Sequence, residues 1–260
     1  MVEVVDARGD PQPPRTLTVR IAVLSDVHGN LHALEAVLAE ADAESVDAIW
    51  CLGDVVGYGP RPNEVTAIIA ERADICLAGN HDLGVLGTID LDFFAGDAGR
   101  AARWTREVLD DDARSFLAGL APSARAPGTE LHHASPRDPI WEYVLGPEVA
   151  LAAIAAAEEP LVLVGHSHVA LAIALKRDRL TGGVAEGGAK HDLSVGRHLL
   201  NPGSVGQPRD GDPRAAWLVL DTDARRATFR RTDYPVGRTQ DDMRERGLPE
   251  QLAARLAHGA

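Results

Sequence analysis

An α/β fold, parallel in its first half and largely antiparallel in its second, is what the sequence predicts, and three observations carry it. Short apolar runs alternate with helical patterns between Val19 and Ala78. After Pro122 such runs continue with few helical stretches between them. Five of the runs also stop at an Asp, Asn or His, three of them beside a glycine.

Residues 1–17 are polar and carry Pro11, Pro13 and Pro14, which reads as a flexible extension and leaves 18–260 as a single domain. Arg20–Ser25 is a buried strand, and Leu31–Ala41 is a helix with Leu31, Leu34, Val37 and Leu38 at apolar spacing. Ala48–Leu52 is a second strand, Glu64–Glu71 a helix and Asp74–Ala78 a third strand. Helices of that length between strands imply right-handed βαβ units. Residues 95–120 contain two helical patterns marked by Trp104, Leu109, Phe116 and Leu120, expected over the site end of the sheet. Strands then follow at Thr129–His133, Leu161–Gly165, Ala170–Leu175, Arg197–Leu200, Ala216–Asp221 and Ala227–Thr232, and the last 20 residues read as one short amphipathic helix.

Charge narrows the choice of partners. A net charge of −13 with no basic block repels a long phosphate backbone, which argues against extended nucleic acid. A short phosphorylated substrate stays compatible, provided bound metals supply positive charge. Cys51 and Cys76 each sit inside an apolar run and read as reduced core thiols. No apolar segment approaches the ~18 residues of a spanning helix. The first residues carry Asp, Arg and Pro where a signal peptide needs an apolar stretch, so no membrane association and a cytoplasmic protein are expected. Oligomeric state is not legible.

The informative feature is where the polar donors fall. Asp26 and His28 follow the first strand, Asp54 the second, and Asn80, His81 and Asp82 the third. His133 ends a fourth, and His166 and His168 follow a fifth. In an open α/β sheet the carboxyl ends of the strands share one rim, where ligands bind. Glycines at 29, 53, 79 and 165 let the backbone turn sharply there. A lone buried histidine is usually a satisfied core residue, but seven donors gathered at five strand ends are not, because unpartnered buried polar groups cost several kcal/mol each. Two carboxylates, one amide and four imidazoles, without thiolate, suit Mn, Fe, Zn, Co or Ni. Seven donors exceed one ion and suit two, an arrangement that clamps attacking and leaving oxygens.

The segments DVHGN (Asp26–Asn30), GDVVGYG (Gly53–Gly59), GNHD (Gly79–Asp82), HHASP (His132–Pro136) and GHSH (Gly165–His168), in this order, resemble the calcineurin-like metallophosphoesterase superfamily. NPGSVGQPRD (Asn201–Asp210) resembles the closing segment of its small prokaryotic branch. The resemblance implies a four-layer α/β/β/α sandwich of two mixed sheets. It implies that Asp26, His28 and His168 hold one metal, that Asn80, His133 and His166 hold the other, and that Asp54 bridges them opposite an attacking water or hydroxide. Manganese is the metal expected to serve in vitro. His81 would act on the leaving oxygen, oriented by Asp82. His133 rather than His132 takes the ligand position, since neighbouring strand residues face opposite ways.

Two departures from the family pattern matter. Serine/threonine protein phosphatases of the superfamily carry an Asp-Arg pair whose arginine grips phosphate, where this chain has Gly57-Tyr58. Relatives with His-Gly-Ser-Pro are matched here by His133-Ala134-Ser135-Pro136. For substrate contacts the candidates are Asn30, which alternatively caps a helix, and Arg137, which alternatively pairs with Asp138. Arg209 and Asp210 carry the same ambiguity. Specificity is expected from Leu91–Leu120 and Arg137–Leu145, with Trp141 and Tyr143 as stacking or packing aromatics. The expected function is hydrolysis of phosphodiester or phosphomonoester bonds of a small or nucleotide-like substrate. Alternatives are a protein phosphatase, a dinucleoside polyphosphate hydrolase, and a metal-binding scaffold without turnover.

Overall fold

The computed structural model describes residues 19–260, so the extension expected over 1–17 lies outside the described residues. Two six-stranded mixed sheets face each other. The first runs β3 (Ile75–Cys76), β2 (Ala48–Cys51), β1 (Arg20–Leu24), β11 (Ala215–Asp221), β12 (Arg226–Thr232) and β9 (Lys190–Asp192). The second runs β4 (Ser123–Ala126), β5 (Thr129–His132), β6 (Leu161–Leu163), β10 (Arg197–Asn201), β7 (Leu171–Lys176) and β8 (Arg179–Val184).

Alternation along the central strands explains the layering. Ile21 and Val23 of β1 point between the sheets and meet Leu131, Leu163 and Leu200 of the second sheet. Ala22 and Leu24 point the other way, against Leu34, Val37 and Leu38 of α1 (Leu31–Ala43). In the second sheet Leu161 and Leu163 face inward, while Val162 packs outward on Ala150, Ala153 and Ile154 of α6 (Pro147–Ala156). Side chains of period two on strands covered on both faces make four layers unavoidable. The expected α/β/β/α sandwich is what forms.

The parallel half is as expected: β1, β2 and β3 pair in parallel, joined by α1 and α2 (Pro62–Arg72). The second half corrects the antiparallel expectation in one place. β5, β6 and β10 pair in parallel, and the crossover between β5 and β6 is α6. That helix gives no amphipathic signal, since Ala150–Ala157 is apolar on every side. Strands β4, β8 and β9 lie towards sheet edges and carry exposed polar or glycine residues, so period two is faint in them. The helical patterns over 95–120 are α4 (Gly96–Val108) and α5 (Asp111–Ala118). The chain end forms two helices, α7 (Val236–Glu245) and α8 (Glu250–Arg255), rather than one.

Parallel β1–β2–β3 and parallel β5–β6–β10 bring their carboxyl ends to one rim. No helix among the described residues is long and apolar enough to cross a membrane. Cys51 and Cys76 are free thiols on paired strands.

Candidate metal centre

All seven expected donors reach that rim and are buried. Two clusters have donor atoms mutually within 4.8 Å: Asp26, His28, Asp54 and His168, and Asp54, His133 and His166. Asp54 belongs to both. Asn80 joins the second, its Oδ1 lying 3.2 Å from Nε2 of His133. His132 faces away and pairs with Glu130 at 3.1 Å, while His133 lies in the second cluster.

Second contacts set the imidazole tautomers. Nδ1 of His28 lies 3.0 Å from the Val56 carbonyl, Nδ1 of His133 2.9 Å from that of Leu52, and Nδ1 of His168 2.6 Å from that of Gln207. A carbonyl only accepts, so each Nδ1 carries the proton and each Nε2 presents a lone pair to the centre. Nε2 of His28 and Nε2 of His168 are 3.1 Å apart. With both Nδ1 atoms protonated in the neutral rings, this approach opposes two lone pairs and is not a hydrogen bond. Asp26 Oδ1, 3.3 Å from the same His168 nitrogen, has no hydrogen-bond partner, and neither has His166 Nε2. Opposed lone pairs and orphaned acceptors buried together fit a cation and fit little else.

The backbone is strained at the same place. Asp26, His28, Asp54, Tyr58, His166 and His168 all adopt left-handed φ between 50° and 62°. Each costs roughly 1–3 kcal/mol, and such residues collect at functional sites. Two glycines are required by close approach: a Cβ on Gly79 would stand 2.0 Å from Asp54 Oδ1, and one on Gly165 2.0 Å from Ser25 Oγ.

Burial sets the electrostatics. It pushes the imidazoles of His28, His81, His133 and His168 below their ordinary range, and His166 down to about 3. Burial raises Asp54, with Asp82 and Asp26 adding repulsion. Burial would raise Asp26 too, but the imidazoles led by His168 outweigh it and hold that carboxylate low. An acid-lability follows for the chelated protein. Unfolded histidines take up protons as pH falls below about 6.5, whereas the folded imidazoles do not, so stability present above that pH is lost as pH falls below it, for His166 down to its folded value of about 3. Each imidazole contributes about 1.4 kcal/mol per pH unit in that window. Five imidazoles outnumber the raised Asp54 and Asp82, which act in the opposite sense. The urea midpoint of the chelated protein should therefore fall between pH 7 and pH 5, and an unchanged or higher midpoint would contradict the burial assigned here.

Three expectations need correction. Asp82 does not orient His81: its carboxylate accepts from the backbone N–H of Gly79 (2.9 Å), Val56 (3.0 Å) and Val55 (3.3 Å). It caps α3 (Asn80–Leu86) and ties down the loop after β2, and burial lifts it to about 6 against those bonds. His81 is held by ring packing on Tyr58, His28 and Phe94, at 4.4, 4.9 and 4.9 Å, and its buried Nδ1 has no partner. Asn30 is consumed as the cap of α1, accepting from Ala33 N and Thr239 Oγ1 and donating to the Gly206 carbonyl. Both polar atoms of its amide are thus engaged within the fold. Arg137 is exposed and pairs with Glu142 at 3.0 Å, not with Asp138.

Residues not assigned from the sequence complete the rim. Asn201 donates to the Gly165 carbonyl (2.7 Å) and to Ser167 Oγ (3.0 Å), and Ser204 Oγ donates to the Asp26 carbonyl (2.8 Å). The segment after β10 thus braces both histidine and aspartate loops. The signal was available: Asn201 ends an apolar run, as the donors do. Tyr143 stacks on His166 with centroids 4.0 Å apart, and Trp141 lies 5.7 Å from Phe94.

A four-layer sandwich with two donor clusters sharing one buried carboxylate defines a candidate binuclear metal protein. Residues 19–225 match the calcineurin-like phosphoesterase superfamily domain, and the chain belongs to that superfamily. Membership implies a metal-dependent hydrolase of phosphoesters. The crystal structure of a metallophosphoesterase from Sphaerobacter thermophilus is similar at 43% identity and a TM-score of 0.85, over 94% of this chain and all (100%) of that one. The uncharacterized protein MJ0912 of Methanocaldococcus jannaschii is 35% identical over 92% of this chain and 98% of its own length. A symmetrical bis(5'-nucleosyl)-tetraphosphatase from Psychromonas ingrahamii is 36% identical over 67 residues, 25% of this chain and 24% of its own.

Proposed function

We propose that the protein hydrolyses phosphodiester or phosphomonoester bonds of a small, nucleotide-like substrate at a binuclear metal centre. The observation that carries this reading is the pair of opposed Nε2 lone pairs of His28 and His168, 3.1 Å apart within the donor cluster. Asp26, His28 and His168 would hold one divalent ion, Asn80, His133 and His166 the other, with Asp54 between them. Two ions from the Mn, Fe, Zn, Co and Ni group, when bound, supply activation of water and compensation of phosphate charge.

The chain's own groups do the rest. Three backbone carbonyls fix the imidazoles in the ligating tautomer, so no reorganisation is needed when charge arrives. His81 stands beside His28 with one ring N–H to offer, and a leaving oxygen that gains negative charge would receive it. A planar leaving group finds partners in the exposed rings of Trp141, Tyr143 and Phe93 along the rim. In a chain with only 4% aromatic residues, such a gathering supports a nucleotide-like substrate. The short match to a symmetrical bis(5'-nucleosyl)-tetraphosphatase favours dinucleoside polyphosphates as the second reading.

The test is hydrolysis of bis-p-nitrophenyl phosphate and p-nitrophenyl phosphate with added Mn²⁺, before and after chelation. Turnover should appear with metal and vanish with chelator. Absence of metal-dependent turnover of both esters would sink the reading in favour of a scaffold. A panel of phosphopeptides, cyclic nucleotides and dinucleoside polyphosphates then ranks substrates.

A further inference from the structure

Among the described residues Arg209 is a cation without an anion. It lies in the segment that braces the rim, and its backbone N–H donates to the His168 carbonyl at 3.1 Å. Its neighbour Asp210 is not its partner, because Asp210 forms a buried ion pair with Arg231. Among the described residues no carboxylate stands within ion-pair distance of Arg209. The side-chain partners it has among those residues are neutral: Nη2 donates to Gln207 Oε1 at 2.9 Å and to the Tyr58 hydroxyl at 3.3 Å, and the buried Nε finds no acceptor there.

The guanidinium also lies over a ring that belongs to the site. Arg209 Cζ is 5.7 Å from the centroid of Tyr58, and Tyr58 packs edge-on against His28 at 4.7 Å and tilted against His81 at 4.4 Å. A chain with 39 acidic residues has had ample carboxylates to set against this cation. Leaving a partly desolvated guanidinium with neutral partners is costly, and an anion arriving from outside removes the cost. A rigid fork of N–H donors matches two oxygens of a tetrahedral phosphate.

We propose that Arg209, propped on Tyr58, binds a non-bridging oxygen of the substrate's phosphate beside His28 and His168. This rests on the phosphoesterase reading of the site. The stretch Gly57-Tyr58, which lacks the arginine of the protein phosphatases, would then offer a ring that seats an arginine from the far end of the chain.

Arg209→Gln and Arg209→Lys would be compared with the wild type in metal content, thermal midpoint under chelation, affinity for inorganic phosphate by calorimetry on the metal-loaded protein, and ester hydrolysis. The expected result is a loss of phosphate affinity of about ten- to hundredfold in Arg209→Gln, the factor that one charge-assisted hydrogen bond of roughly 1.5–3 kcal/mol represents. Arg209→Lys should recover part of it, with metal content unchanged in both. A lowered thermal midpoint with phosphate affinity intact would overturn the proposal and leave Arg209 a structural brace. Phosphate binding by the wild type that depends on Arg209, without any ester hydrolysis, would uphold the clamp while the hydrolase reading fails. Hydrolysis with phosphate affinity indifferent to Arg209, or no phosphate binding at all, would refute the clamp.

Discussion

Replacing His81 by Ala is expected to lower kcat by about 10²–10⁴-fold while both metals stay bound. The geometry separates this side chain from the ligands. His28, His133 and His168 each have Nδ1 anchored on a backbone carbonyl and Nε2 turned to the centre, whereas the Nδ1 of His81 is buried without a partner. Its ring is positioned by Tyr58 and Phe94 rather than by a hydrogen bond, so Ala removes the group without breaking a network. Metal content measured beside kcat distinguishes a role in proton transfer from a role in ligation. Loss of a metal equivalent along with activity would place His81 among the ligands. Full activity with both metals would leave it only a packing role.

Asp54→Asn should have opposite effects on activity and on metal-free stability. Asp54 Oδ2 lies 3.6 Å from Nε2 of His28 and 3.5 Å from Nε2 of His133, so one carboxylate serves both clusters. An amide offers a neutral oxygen in its place. Binuclear occupancy should fall, and kcat/KM should drop roughly 10³-fold or more, since each ion supplies several kcal/mol of charge stabilisation. In the chelated protein the sign reverses. Asp54 is buried and repelled by Asp82 and Asp26, so an uncharged isostere relieves both penalties and should raise the thermal midpoint. The bond from His81 N to Oδ1, at 2.8 Å, is kept by the isostere. A chelated variant less stable than the chelated wild type would contradict this account of the site's charge.

Much of this was legible in the residues. The central strands β1, β2, β6 and β11 are apolar on both faces because both faces are covered, and such runs announce themselves. The donors were legible because each stands where such a run stops. What escaped has physical causes. α6 is alanine-rich with no polar face, so helical periodicity is silent, and its absence from the reading made β5 and β6 look antiparallel. The family resemblance made Asp82 an orienting partner, but a carboxylate at the third position of a short helix turns back to the backbone amides. Arg209 and Asp210 looked like a pair because they are neighbours in sequence. Which of them meets Arg231 depends on strand β12 returning beside them, and no local pattern reports that.

Both donor clusters draw on both sheets. Asp26, His28, Asp54 and Asn80 come from the ends of β1, β2 and β3, while His133, His166 and His168 come from the ends of β5 and β6. An ion seated in either cluster would therefore act as a clasp across the seam between two layers otherwise joined by apolar contact. Its binding free energy would be felt by the whole molecule rather than by one loop, because separating the sheets means releasing it. The centre can also exist only after residues 26 and 168 have met. The strain held in six left-handed residues is thus carried by a rim that the finished fold, and not any fragment of it, supports.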